Sequence, residues 1–168
     1  AAPLVTGSFQ GTATFGNTPP LTSIGGDDVF VAKLDANGDY EWATQAGGTS
    51  TDSGRRVSVL ADGSSIVTGS FRDTATFGNT PPLNSLGNND IFVAKLDANG
   101  DYEWATQAGG TSNIWGDSVA VFADGSSIVT GLFKGYVSFG ETPPFNSLGG
   151  NDIFVAKLDA NGDYEWAT

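Results

Sequence analysis

The sequence predicts an all-β fold built from repeats, and three observations carry that prediction. Val5-Thr6-Gly7 returns as Val67-Thr68-Gly69 and again as Val129-Thr130-Gly131, at one constant spacing. The stretch from Phe30 to Thr44, FVAKLDANGDYEWAT, recurs unchanged at 92–106 and 154–168. Between such runs stand clusters of Gly, Ser, Thr, Asn and Asp, and no apolar stripe of period 3.6 persists anywhere. A fixed period of this size means one supersecondary unit set beside copies of itself.

The unit is clearest in the second copy. Arg56 to Leu60 alternates apolar and polar residues into a first strand, which ends at the turn Ala61-Asp62-Gly63-Ser64. Ser65 to Phe71, rich in β-branched residues, is the second strand. The long connection 72–89 holds a short strand at Thr74-Ala75-Thr76-Phe77 and then Pro81-Pro82. Adjacent prolines have no backbone N–H to give a ladder, so that piece reads as loop or edge. Asp90 to Leu96 is the third strand, Asn99-Gly100 a hairpin turn whose residues tolerate positive φ, and Tyr102 to Thr106 the returning fourth strand.

The third strand decides the architecture. Phe92, Ala94 and Leu96 fall on one face, Ile91 and Val93 on the other, and both sets are apolar. A sheet with one wet face would alternate apolar with polar, so this one must be covered on both sides. Four-stranded antiparallel units sandwiched between copies of themselves predict a β-propeller of 62-residue blades, about three per chain. A stacked solenoid is the competitor, but four antiparallel strands are many for one solenoid coil. The chain divides into a partial blade at 1–44, lacking its first strand, and blades at 45–106 and 107–168.

Residues 29–71, VFVAKLDANGDYEWATQAGGTSTDSGRRVSVLADGSSIVTGSF, carry a family resemblance. Their FVAKLDANGDYEW and VTGSF segments are similar to the SBBP repeat, the seven-bladed propeller repeat of bacterial surface and secreted proteins. The resemblance extends over nearly the whole chain. It implies a propeller fold and an extracellular setting, and it implies no catalytic activity and no ligand.

Three blades do not close a ring, because propellers typically need at least four. Uncovered end blades would expose Phe, Ile and Val side chains and drive association. The expected partner is therefore the chain itself, as a homodimer that closes a six-bladed ring head to tail. The alternative is a piece of a longer repeat array.

Composition narrows the function. The net charge of −12, seven Lys+Arg against nineteen Asp+Glu, argues against nucleic acid and anionic membranes, which recruit clustered positive charge. There is no Cys for a disulfide or thiolate metal site, and no His, the commonest general base and metal ligand. No apolar run approaches the ~20 residues of a membrane span. Ser and Thr abound without a His to activate them, and Glu41, Glu103 and Glu141 form no evident facing pair of the kind glycoside hydrolysis requires. The expectation is a protein that is not an enzyme: an extracellular bacterial scaffold or interaction module, needing no cofactor. A lectin-like propeller binding a glycan or calcium is the alternative, and a protein ligand suits the first reading.

Three sets of residues are the candidate sites. The loops Asp35-Ala36-Asn37-Gly38-Asp39, Asp97 to Asp101 and Asp159 to Asp163 resemble the opening of a calcium loop, with oxygens on Asp35, Asn37, Asp39, Asp97, Asn99, Asp101, Asp159, Asn161 and Asp163. Tyr40, Tyr102 and Tyr164 stand where such a loop needs glycine, and the same letters suit a tight hairpin. Trp42, Trp104 and Trp166 share one face of the fourth strand with these tyrosines, either as sugar-stacking platforms or as filling between blades, with the tyrosine hydroxyls near water. The third set lies where the copies differ. Asp52-Ser53-Gly54-Arg55-Arg56 becomes Ile114-Trp115-Gly116-Asp117-Ser118, and Arg72-Asp73-Thr74-Ala75 becomes Lys134-Gly135-Tyr136-Val137. Loops on rigid scaffolds carry contacts, which makes Ile114 and Trp115 in the loop between blades, with Arg55, Arg56 and Tyr136, candidate partner-binding residues.

Overall fold

A computed structural model describes residues 2–168. Within them every regular element is a strand. The first repeat supplies β1 (Leu4–Phe9), β2 (Thr12–Ala13), β3 (Leu21–Thr22), β4 (Asp28–Leu34) and β5 (Tyr40–Gly48). The second supplies β6 (Ser53–Val59), β7 (Ser65–Phe71), β8 (Thr74–Phe77), β9 (Leu83–Asn84), β10 (Asp90–Leu96) and β11 (Tyr102–Gly110). The third supplies β12 (Ile114–Val121), β13 (Ser127–Phe133), β14 (Tyr136–Phe139), β15 (Phe145–Asn146), β16 (Asp152–Leu158) and β17 (Tyr164–Ala167).

Four consecutive long strands form an antiparallel meander in the second and third repeats, β6-β7-β10-β11 and β12-β13-β16-β17. The first repeat contributes β1-β4-β5 to the same plan. These are antiparallel four-stranded sheets stacked face to face, a propeller-like arrangement. No helix among the described residues is long and apolar enough to cross a membrane.

Alternation places the core as the sequence requires. Phe92, Ala94 and Leu96 of β10 pack towards the first sheet with Val29, Val31, Val67, Phe71 and Phe77. Ile91 and Val93 pack the other way, with Val129, Phe139, Phe154 and Leu158. Two apolar layers therefore sandwich the middle sheet, and β10 is buried along nearly its whole length.

The connection holds the short strand expected at Thr74–Phe77, and the proline pair lies outside any strand, but its pairing was not anticipated. The short strands β8 and β9 form a hairpin, and β8 pairs with Ala46, Gly47 and Gly48 at the outer edge of the preceding sheet. β14 and β15 repeat the arrangement on Ala108, Gly109 and Gly110 of β11. The connection is thus a staple between neighbouring repeats, with the proline pair in its loop and Leu83-Asn84 directly after it as the edge strand of the sheet. Gln107 fastens the staple from its own repeat: its amide donates to Asn84 O at 2.7 Å, and its Oε1 accepts from Asn84 N at 3.1 Å. The fourth strand also runs beyond its predicted end at Thr106, to Gly110, because the hairpin extends its pairing.

Candidate functional site

Every internal junction is built from the same parts. The indole of Trp42 lies on the Asn99-Gly100 turn of the next repeat, where a Cβ at Gly100 would stand 2.7 Å from the ring. Trp42 Nε1 donates to Ala98 O at 3.2 Å. Trp104 covers Gly162 at the same 2.7 Å, but its Nε1 is buried without a hydrogen-bond partner. Only glycine fits under these rings, and its positive φ suits the turn as well. Trp42 and Trp104 therefore fill space between repeats, the packing role that large aromatics commonly take.

Tyrosine and tryptophan do not share a face as expected. The register slips between Lys95 and Leu96 opposite Tyr102 and Trp104, which makes Glu103 the extra residue of a bulge. Tyr102 then points back to Phe77, with ring centroids 5.6 Å apart, while Trp104 packs among the side chains of the next junction. The hydroxyls of Tyr102 and Tyr164 are buried without hydrogen-bond partners, rather than near water, and burial pushes both well above the usual phenol range.

The two ends of the stack expose what the junctions cover. On the trailing face Ile153 is 73% exposed and Trp166 42%, whereas Ile91, the counterpart of Ile153, is fully buried. On the leading face Val5 is 39% exposed, although its counterparts Val67 and Val129 are buried. Phe30 and Leu34 are half-buried there, and their counterparts are buried. Gly38, the turn glycine that corresponds to Gly100 and Gly162, has open space on its Cβ side.

Buried carboxylates mark the junctions, a feature not anticipated from sequence. Asp28, Asp52 and Asp90 are inaccessible to solvent. Asp52 accepts from Gly48 N at 2.8 Å and Arg72 N at 3.1 Å, which ties the link between repeats to the end of β7. Burial, the larger influence, raises its carboxyl to about 6 despite these bonds. Asp90 Oδ2 accepts from Leu86 N at 2.9 Å while Oδ1 is buried without a partner, and burial lifts this group to about 6 as well. The available signal was the aspartate that opens the third strand in every repeat, at Asp28, Asp90 and Asp152.

The Asp-Ala-Asn-Gly-Asp loops spend their first aspartate on the turn. Asp35 Oδ1 accepts from Asn37 N at 2.8 Å and Asp39 N at 2.9 Å. Asp97 and Asp159 repeat this geometry with Asn99 and Asp101, and with Asn161 and Asp163. Backbone donors hold all three first aspartates below the usual carboxylate range. Among the described residues no group of three acidic side chains converges as a metal site. Glu41 and Glu103 pair with Lys33 and Lys95 at 2.8 and 2.9 Å. Glu141 instead lines an outer cleft of about 460 Å³ with Asp163 and Tyr164.

The variable residues are distributed differently from the reading as one loop. Ile114 and Trp115 belong to β12 rather than to a loop, because pairing with Phe133 and Leu132 of β13 draws them into the ladder, and Ile114 is buried. Trp115 is half-buried. Arg55 and Arg56 are exposed at a register slip in β6, and Tyr136, 41% exposed, opens the staple hairpin β14–β15.

No family model matches the chain. It is 25% identical over 171 residues to the "Uncharacterized WD repeat-containing protein L264" of Acanthamoeba polyphaga mimivirus, an alignment covering 83% of this chain and 12% of that protein. It is 34% identical over 113 residues to the "Regulatory protein FlaEY" of Caulobacter vibrioides, covering 66% of this chain and 11% of that protein. The chain thus spans about an eighth or less of the length of these curated relatives.

Proposed function

We propose that this chain is a non-catalytic β-propeller segment that serves as a scaffold or interaction module and joins a second copy of itself head to tail. The carrying observation is the pair left over at the two ends. Trp166 is exposed where Trp42 and Trp104 are seated, and Gly38 is uncovered where Gly100 and Gly162 lie under a ring. A heterologous contact between the two ends would repeat an interface the chain already makes twice. It would cover Ile153 and Trp166 with Val5, Phe30 and Leu34. Two such contacts between two chains give a six-bladed ring. The likeness to a protein named for WD repeats supports a propeller, and the SBBP resemblance supports an extracellular setting. Glycan stacking has little support from Trp42 and Trp104, whose rings are engaged in packing.

Native mass spectrometry and sedimentation across a concentration series test this reading. A two-chain particle is expected, with Trp166→Glu and Ile153→Glu shifting it to a folded monomer. A wild-type monomer at every concentration would overturn the self-association.

A further inference from the structure

The joints between repeats are built alike but are not charged alike. At the first joint the fully buried Asp28 and Asp52 stand against one side of Gly47. A Cβ there would lie 2.8 Å from Asp28 Oδ1 and 2.9 Å from Asp52 Oδ2, so the two oxygens are no further apart than those distances together. At the second joint the same place, against Gly109, is occupied by the Asp90 carboxylate. Ile114 stands there in place of Asp52, and it is buried. The flanking residues Asp27 and Thr51 become Asn89 and Asn113, whose side chains bond to each other, Asn89 Nδ2 donating to Asn113 Oδ1 at 3.1 Å. The first joint encloses two carboxyl groups where the second encloses a carboxyl and an isoleucine.

All but one of the oxygens in the first joint have partners. Asp52 Oδ2 accepts from Gly48 N and its Oδ1 from Arg72 N. Asp28 Oδ2 accepts from Ile24 N at 3.1 Å and from Gln45 Nε2 at 3.4 Å. Asp28 Oδ1 is buried without a partner, and it is the oxygen set beside Asp52. The charged groups of the surrounding elements do not neutralise the pair. Asp27, before β4, and Asp73, after β7, add negative potential, and Asp73 is itself bonded by Ser50 Oγ. Arg55 and Arg56 of β6 and Arg72 have exposed side chains, while Lys33 of β4 is paired with Glu41 of β5. Two negative charges this close and sealed from solvent are strongly disfavoured. Burial, the largest influence, raises both carboxyls, and Asp28 adds to the rise at Asp52.

We propose that the first joint is a proton-binding site, in which Asp28 and Asp52 hold a single proton between them, carried on Asp28 Oδ1. A proton there removes one of the two charges, satisfies the one unpartnered oxygen and leaves every other bond of the pair in place. Asp52, with backbone N–H groups on both oxygens, remains the ionised member. The pair titrates as a unit, so its apparent values belong to both residues. Because the folded values lie above the unfolded ones, the closed joint is favoured in acid and loosens as pH rises through about 6. The link between the first two repeats is thereby a pH-sensitive hinge, set by one residue that the next link replaces with Ile114.

Carbon-detected carboxyl NMR of the intact, isotope-labelled chain across the acid-to-neutral range tests this. Asp28 and Asp52 are expected to titrate in two shared steps, each signal sensing both, with the later step above about pH 5. Asp52→Asn, whose amide can donate to Oδ1, should return Asp28 to a single step at lower pH. Asp52→Ile, which copies the second joint, should remove about half of the fall in urea midpoint between about pH 5 and 7. If either variant fails to fold, the wild-type titration decides. Independent single steps, both below about pH 5, overturn the proposal. So does a folded Asp52→Asn in which Asp28 titrates as in wild type, or a folded Asp52→Ile with an undiminished fall. Millimolar calcium at neutral pH should leave both carboxyl signals in place; if it shifts them, the pair binds a metal cation and not a proton, and the proposal fails.

Discussion

Ile91 and Ile153 occupy the same position in β10 and β16, and replacing each with alanine should have very different costs. Ile91 is fully buried against the third repeat, where a Cβ at Gly116 would lie 3.5 Å from its own Cβ. Its truncation removes buried methyl and methylene groups and leaves a cavity between sheets that cannot collapse freely. Core changes of this type cost about 2–5 kcal/mol. Ile153 is 73% exposed, so only about a quarter of the 1.5–3 kcal/mol for burying such a side chain is at stake, or about 0.5 kcal/mol. At this chain length each kcal/mol moves the melting temperature by about 2–4 °C. Ile91→Ala should then melt roughly 10 °C below wild type and Ile153→Ala within about 2 °C of it, measured by circular dichroism at low micromolar concentration. Raising the concentration should reveal a cost of Ile153→Ala in association rather than in folding. Indistinguishable costs of the two substitutions in dilute solution would refute the assignment of Ile91 to a closed junction and Ile153 to an open face.

Stability should fall as pH rises from about 4 to 7. Asp52 and Asp90 have folded-state values of about 6, above the unfolded value, so the folded chain binds protons more tightly in that window and their contribution is lost on deprotonation. Below about pH 4 the trend reverses, because Asp35, Asp97 and Asp159 are held low and lose their turn bonds when protonated. Urea midpoints across pH should therefore peak near 4–5, and Asp90→Asn, with its amide nitrogen in place of the unpartnered Oδ1, should remove about half of the decline above pH 5. Gly109→Ala places a methyl group 1.9 Å from the buried Asp90 carboxylate and should cost about 2 kcal/mol or more by denaturant titration. In the Ile153→Glu monomer acrylamide should quench Trp166 well before Trp42 and Trp104, and adding Trp166→Phe should abolish the readily quenched fraction; unchanged quenching would show that another side chain is the exposed one.

Much of the fold was legible because its information is local. Alternation in β10 named both buried faces, and the Asn-Gly turns fixed the hairpins between β4 and β5, β10 and β11, and β16 and β17. The staple hairpins were harder to see, because pairing between β8 and β5 joins different repeats and leaves no periodic trace in either. A single inserted residue, Glu103, reversed the relation of Tyr102 to Trp104, and an alternating string looks the same with or without such a bulge. The start of β12 was hidden by its counterpart: Ser53, Gly54 and Arg55 are weak strand formers that tertiary pairing with β7 draws into the ladder. Of the site features, the turn role of Asp35 and its copies could be read from their letters. The burial of Asp52 could not, since it depends on Gly48 and Arg72, residues on either side of it in the chain that meet only across a sheet edge.

The staple hairpins also offset the unit of folding from the unit of sequence. A sheet recruits its outermost strands from the repeat that follows its own meander, so each copy completes its predecessor. Duplication or loss of one whole period, cut at any phase, regenerates the same joints between the same partners. Such a chain can change length in evolution without having to invent an interface.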